Sequence, residues 1–136
     1  MPCSEGGIFI GINIRFTIPL EPVTKKNSGR IIRAGQRYRV IPSAVYERYE
    51  HDCGYFIKGR GEMIDAPIEI TCRFYMKTHR RVDLTNLLNA IDDILVHYGV
   101  ISDDNSSVIV SHDGSRVYHD KDFPRTEVDI HDAHTS

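Results

Sequence analysis

The sequence predicts a single α/β (α+β) domain: a small mixed sheet with two main helices packed on one face. Three observations carry this. Residues 8–18 and 68–76 alternate apolar and polar side chains with the period of two that marks half-buried strands. From Leu84 the apolar residues instead fall at the three-and-four spacing of a helix with one buried stripe. Helical segments separate the strands along both long connections, and no repeat or low-complexity stretch intervenes. The chain has 136 residues, the length of one domain. A chain this long buries about two-thirds of its unfolded surface, so it needs no disulfide or metal staple to fold.

Taken in order, Ile8, Ile10, Ile12, Ile14, Phe16 and Ile18 share one strand face, and Pro19 and Pro22 end the strand. Asn27-Ser28-Gly29 reads as a turn. Ile31-Ile32-Arg33 and Arg37 to Ile41 form a short hairpin across Ala34-Gly35-Gln36. Ser43 is the N-cap of a helix running to about Ile57, with Gly54 as a point of interruption. Lys58-Gly59-Arg60-Gly61 is a loop, and Pro67 precedes a strand with Ile68, Ile70, Cys72, Phe74 and Met76 on one face. Leu84, Leu87, Leu88, Ile91, Ile94, Leu95 and Tyr98 make the second helix, with Gly99 as its stop. Val108-Ile109-Val110 and Arg116-Val117-Tyr118 read as strands about an Asp113-Gly114 turn. Thr126 to Ile130 is the last strand. The expected domain is 8–130, with flexible termini at 1–7 and 131–136.

Composition excludes several classes. No apolar run approaches the ~20 residues of a membrane span, and Met1 to Gly7 lacks the basic and apolar pattern of a signal peptide. Cys3, Cys53 and Cys72 form no C-x-x-C pair and are odd in number, which fits a reducing compartment, with Cys72 an apolar strand residue. The expected location is cytoplasmic, with no membrane partner. The net charge of -2 conceals an asymmetry: residues 1–82 carry a net +6 and residues 83–136 a net -8. Lys25, Lys26, Arg30, Arg33, Arg37 and Arg39 cluster without an acidic residue among them. Such a split suits a protein that holds a polyanion in one place and a cation in another, although charge runs are more often solvated faces.

Chemistry concentrates between Arg80 and Asp104. Asp83 stands at the start of the second helix, where it is either an N-cap or a metal ligand. Asn86, Asp93 and His97 fall on one flank, with Ala90 between them. Asp103-Asp104 follows one short turn after the helix. It is no EF-hand loop, because Val108 and Gly114 occupy the positions that need Gly and Glu. Carboxylates gathered by a fold bind hard cations such as Mg²⁺, a site suited to phosphodiester hydrolysis with Arg80 and Arg81 holding the strand. The reading requires the turn beyond Gly99 to fold back toward the mouth of the Leu84 helix. No P-loop, G-x-S-x-G or G-x-G-x-x-G motif occurs, no Cys/His set has zinc-finger spacing, and no small-molecule cofactor is indicated.

Arg80-Arg81-Val82-Asp83-Leu84-Thr85-Asn86-Leu87, then Asp93, then Gly99 to Asp104, resembles the RusA-type Holliday junction resolvases. Pro22 to Ser28 and Pro42-Ser43 resemble its Gram-positive phage branch, and the likeness covers roughly residues 14 to 130. The resemblance implies a bacterial or phage-encoded homodimeric endonuclease, dependent on Mg²⁺ or alternatively Mn²⁺, that nicks four-way DNA junctions symmetrically in recombination and repair. It implies Asp83 and Asp104 as metal ligands, with Asp103 and Asp93 as supporting carboxylates. Lys25, Lys26, Arg30, Lys77, Arg80 and Arg81 would hold the DNA. Two positions depart from the family pattern: Thr85 replaces a second aspartate and Asn89 replaces a helix lysine. A non-catalytic branched-DNA binder of the same fold, or an unrelated interaction module, therefore stays open.

Overall fold

The computed structural model describes residues 11–25, 30–41, 43–57 and 63–133. In chain order the elements are β1 (Asn13–Ile18), β2 (Arg30–Ala34), β3 (Arg37–Ile41), α1 (Ala44–Ile57), β4 (Ile68–Met76), α2 (Leu84–His97), β5 (Ile109–Ser111), β6 (Arg116–His119) and β7 (Arg125–Asp132). This is the expected α+β class, with a five-stranded mixed sheet and a separate β2–β3 ribbon. The turn expected at Asn27 to Gly29, the loop at 58–61 and the first residues of the 8–18 stretch lie outside the described residues.

The alternation in β4 is carried out to the letter: Ile68, Ile70, Cys72, Phe74 and Met76 are buried, and the residues between them are half-buried. Phe16 and Ile18 of β1 and Val128 and Ile130 of β7 join them in one apolar face. Helix α1 adds Tyr46, Tyr49, Cys53 and Ile57 to that core, and α2 adds Leu87, Ala90, Ile91, Ile94 and Leu95. Both helices thus serve one face of the sheet. Burial pushes the Cys53 thiol up to about 12 and the Cys72 thiol still further, so neither is a ready nucleophile.

The opposite face is closed by charge. Arg73 of β4 donates to Glu127 at 2.9 Å and to Asp129 at 2.8 Å, both on the neighbouring β7. Arg15 of β1 reaches Asp129 from the other side. Arg125 pairs with Glu127 and Asp120, each at 2.9 Å. Cross-strand pairs of opposite sign reinforce the ladder. They also absorb part of the sequence asymmetry, since basic residues before position 83 meet acidic residues after it.

Three expectations are corrected. β5 and β6 are not a hairpin. Both run parallel to β4 on its same edge, β5 at Ile68 and Glu69 and β6 at Arg73 to Met76. The Asp113-Gly114 turn (Gly114 φ +86) is a detour between them, and its polar groups replace the interrupted ladder. His112 Nδ1 donates to the Ile70 carbonyl at 3.0 Å, Thr71 Oγ1 donates to the Asp113 carbonyl at 2.9 Å, and the Cys72 N–H donates to Ser115 Oγ at 3.0 Å. Every buried backbone group needs a partner, and these side chains supply it. Second, β7 continues past Ile130 to Asp132. His131 pairs across from Asn13 and Glu69, and the Asp132 carboxylate accepts from the Ile12 N–H at 2.8 Å. Third, Gly54 does not interrupt α1. A Cβ there would stand 2.7 Å from the Tyr98 ring, whose hydroxyl donates to the Glu50 carbonyl at 2.7 Å. The glycine lets α1 and the end of α2 approach closely. The caps are as expected, with Ser43 Oγ accepting from the Tyr46 N–H at 3.2 Å.

Two outcomes follow. Gly54→Ala gains about 1 kcal/mol of helix propensity yet destabilises overall by about 1–2 kcal/mol through the clash. In a Tyr98→Ala background the same change becomes stabilising, as urea melts of the four proteins would read. The second concerns acid. Arg73 holds the Glu127 carboxyl below the usual range against the opposing effect of burial, with Arg125 adding to it. Burial pushes Asp129 up, but hydrogen bonds from Arg73 and Arg15 overcome it and leave that carboxyl low. Their stabilisation is complete above the ordinary carboxylate range near pH ~4 and is lost as pH falls through the depressed values. The difference in melting temperature between wild type and Asp129→Asn therefore shrinks on acidification below about pH 4.

Candidate metal and nucleic-acid site

Helix α2 organises the site. Asp83 is its N-cap: its backbone is extended (φ -92, ψ 119) and its side chain accepts from the Thr85 N–H at 2.9 Å. Its cap role is thus realised, and its second carboxylate oxygen has no hydrogen bond among the described residues. Asp83 is exposed, as are Lys77, Arg80 and Arg81 in the segment leading to it. Arg80, Arg81 and Val82 form one wall of a groove of about 590 Å³ whose other walls come from Glu21 to Thr24, Ser43 and Val45.

Ten residues further on, about 15 Å along the helix axis, Asp93 occupies the flank of α2 with Asn86 and His97. Lys25, from the segment after β1, reaches it at 2.9 Å and lies 5.6 Å from the Tyr46 ring. The structure therefore places Lys25 on Asp93. Lys26 lies outside the described residues, and Arg30 is described only in its strand backbone.

The acidic turn follows the end of α2. Gly99, at φ +73, ends α2. The chain is then pinned by an Ile64–Ile101 bridge and by Ser102 Oγ donating to Asp65 at 2.8 Å. Asp103 folds inward on its own turn, accepting from the Asp104 N–H at 2.7 Å and the Asn105 amide at 3.1 Å. Burial, the neighbouring Asp103 and the charge of Asp93 raise the Asp104 carboxyl above the usual range. The charge of Asp93 is thus felt at Asp104, and Asp83 caps the start of α2.

One functional neighbour carried no motif. Asp92 is buried (7% exposed) and meets His112 Nε2 at 2.8 Å through Oδ2, while its Oδ1 has no partner among the described residues. Burial raises Asp92 although His112 opposes it, and Asp104 and Asp93 add to the rise. Burial lowers His112, but the hydrogen bond and charge of Asp92 and the bond to the Ile70 carbonyl together raise it. Since the Ile70 carbonyl can only accept, Nδ1 carries a proton and the Nε2–Oδ2 line holds one more. The signal was present in part: Leu88, Asp92 and Leu95 fall at helical spacing, which sets Asp92 inside the buried stripe. Nothing in the sequence marked His112 as its partner.

Hard carboxylate oxygens are the donors Mg²⁺ prefers, and that ion needs only one or two of them beside water and phosphate. By donor chemistry the residues fit such an ion, although among the described residues no three His, Cys, Asp or Glu side chains converge as a metal cage. No helix among them is long and apolar enough to cross a membrane.

Comparison with known proteins places the chain against a family model. Residues 19–131 fit the family model described as Endodeoxyribonuclease RusA. No curated protein matches the chain.

The His112 latch is testable by stability. His112→Ala strands the buried Asp92 carboxyl and the Ile70 carbonyl together, and lowers unfolding free energy by about 2–3 kcal/mol. Asp92→Asn, which keeps a polar partner for the ring, costs less. Equilibrium urea unfolding of the two variants would show that order.

Proposed function

The chain belongs to the RusA endodeoxyribonuclease family, and from that premise we propose that it is a Mg²⁺-dependent, structure-selective nuclease that resolves four-way DNA junctions by paired nicks. The observation that carries the reading is the family match over residues 19–131, a span that includes Asp83, Asp93, Asp103 and Asp104. We assign Asp83 and Asp104 as the ligands of the ion, with Asp103 and Asp93 as supporting carboxylates. A bound Mg²⁺ supplies Lewis-acid charge and a water nucleophile for phosphodiester hydrolysis.

The chain's own residues do the rest. Arg80 and Arg81, exposed along the groove, attract and orient the phosphate backbone. Lys77 extends that basic edge, and Lys26 and Arg30 are proposed to join it. Lys25 neutralises Asp93 in the absence of DNA and is proposed to exchange that carboxylate for a phosphate. Asp103 holds the turn that presents Asp104. A four-way junction has approximate two-fold symmetry, so a homodimer would offer it two equivalent sites. Thr85 and Asn89 leave the second reading, a branched-DNA binder without cleavage, as the specific alternative.

Nicking of a labelled junction separates the two. Asp104→Asn lowers the Mg²⁺-dependent rate by about two orders of magnitude or more while junction affinity is kept or raised. Asp83→Asn is the sharper case. Asn is as good an N-cap as Asp, so the melting temperature holds while nicking falls. Nicking at the wild-type rate by both variants would overturn the assignment. A wild-type protein that shifts the junction in EDTA yet never cuts it in Mg²⁺ or Mn²⁺ would be the non-catalytic binder.

A further inference from the structure

The charged face of the sheet changes character at the end of β4. Tyr75 lies in register with Arg125 of β7 on one side and Tyr118 of β6 on the other. Arg125 sits 3.6 Å over the Tyr75 ring, and Tyr118 stacks on Tyr75 with centroids 4.9 Å apart and planes within 15°. That separation is the inter-strand spacing of a sheet, so three strands build one stack, a rung apiece. Arg125 is clamped by Asp120, Glu127 and the Phe123 carbonyl, which fixes the stack in place.

β6 is the edge. No strand pairs with its outer side among the described residues. Tyr118 is therefore the last rung, and it is 37% exposed. Arg116, two residues earlier on the same face, stands 5.7 Å from the Tyr118 ring and has no carboxylate partner among the described residues. The stack also adjoins the basic segment: His119 Nε2 donates to the Lys77 carbonyl at 3.1 Å, and its ring lies 3.6 Å from that of His79.

We propose that Tyr118 is a stacking site for an unpaired nucleobase of the bound DNA, with Arg116 on the adjoining phosphate. The inference rests on the branched-DNA reading and deepens it, because bases at a branch point are the ones released from duplex stacking. The spacing offers a fourth rung to any flat ring, and the flanking Arg116 and Lys77 choose a polyanion as its carrier. Stacking is indifferent to base identity, so the site would favour structure over sequence.

The test uses the full chain and a four-way junction carrying 5-iodouridine at its branch nucleotides. Wild type and Tyr118→Phe photocrosslink through position 118, and Tyr118→Ala loses the crosslink. The alanine variant also binds the junction about 5- to 150-fold more weakly, with an unchanged melting temperature. A crosslink mapped elsewhere, together with unchanged affinity of Tyr118→Ala, overturns the stacking site and leaves the nuclease proposal intact. Conversion of a dimer to a monomer by Tyr118→Ala, seen by sedimentation, assigns the edge to a second copy and also overturns it. A wild-type protein that ignores the junction removes the nuclease proposal. Single-stranded oligo-dT then decides the stacking site, which stands if dT binding depends on Tyr118 and falls if it does not.

Discussion

The structure depends on satisfying both edges of β4. This strand is the most buried in the sheet, and its backbone groups have no recourse to water. One edge is met by β7 along its whole length. The other is met by two short parallel strands and, between them, by the side chains of His112 and Ser115. That repair does more than close the ladder. It fastens His112 to Asp92 and so fixes the flank of α2 that carries Asp93. It also sets β6 alongside Tyr75, which creates the ring stack at the sheet edge. A continuous edge strand would have done the first task without either of the others.

The charge asymmetry of the sequence has two physical fates. Arg15 and Arg73, from the basic part, are spent inside the sheet on Asp129 and Glu127. Lys25 is spent on Asp93. The exposed basic residues among those described include Lys77, Arg80 and Arg81, in the segment that borders the groove, as well as Arg33, Arg37 and Arg116. Counting charges along the chain therefore overstates the polyanion-binding surface. The cations that matter are those the fold leaves without a carboxylate, a property of pairing across strands rather than of composition.

The candidate site was legible to an uneven degree. Asp83, Asp93, Asp103 and Asp104 stand out because their spacing matches a family pattern and a helix start. Sequence left open whether Asp83 caps the helix or binds an ion, and the hydrogen bond to Thr85 shows that it caps. Such a role is no bar to a second one, since a carboxylate has four lone-pair positions and the cap uses one. The way the chain is pinned before the Asp103-Asp104 turn was not readable. It follows from where Ile64 and Asp65 catch the chain after Gly99, and that contact joins segments far apart in sequence. Asp92 was half-legible, a carboxylate at a buried helical spacing whose partner could not be named.

By itself the sequence determined the local periods: the alternation of β4, the stripe of α2, the caps at Ser43 and Asp83 and the β2–β3 turn. These depend on residues within a few positions of one another, so steric and hydrogen-bond preferences settle them. Tertiary structure alone decided that β5 and β6 share one edge of β4, that Gly54 receives Tyr98, and that Asp92 meets His112. Each of these is a meeting of distant segments, chosen because buried polar groups and ring volumes had to be accommodated in a common core.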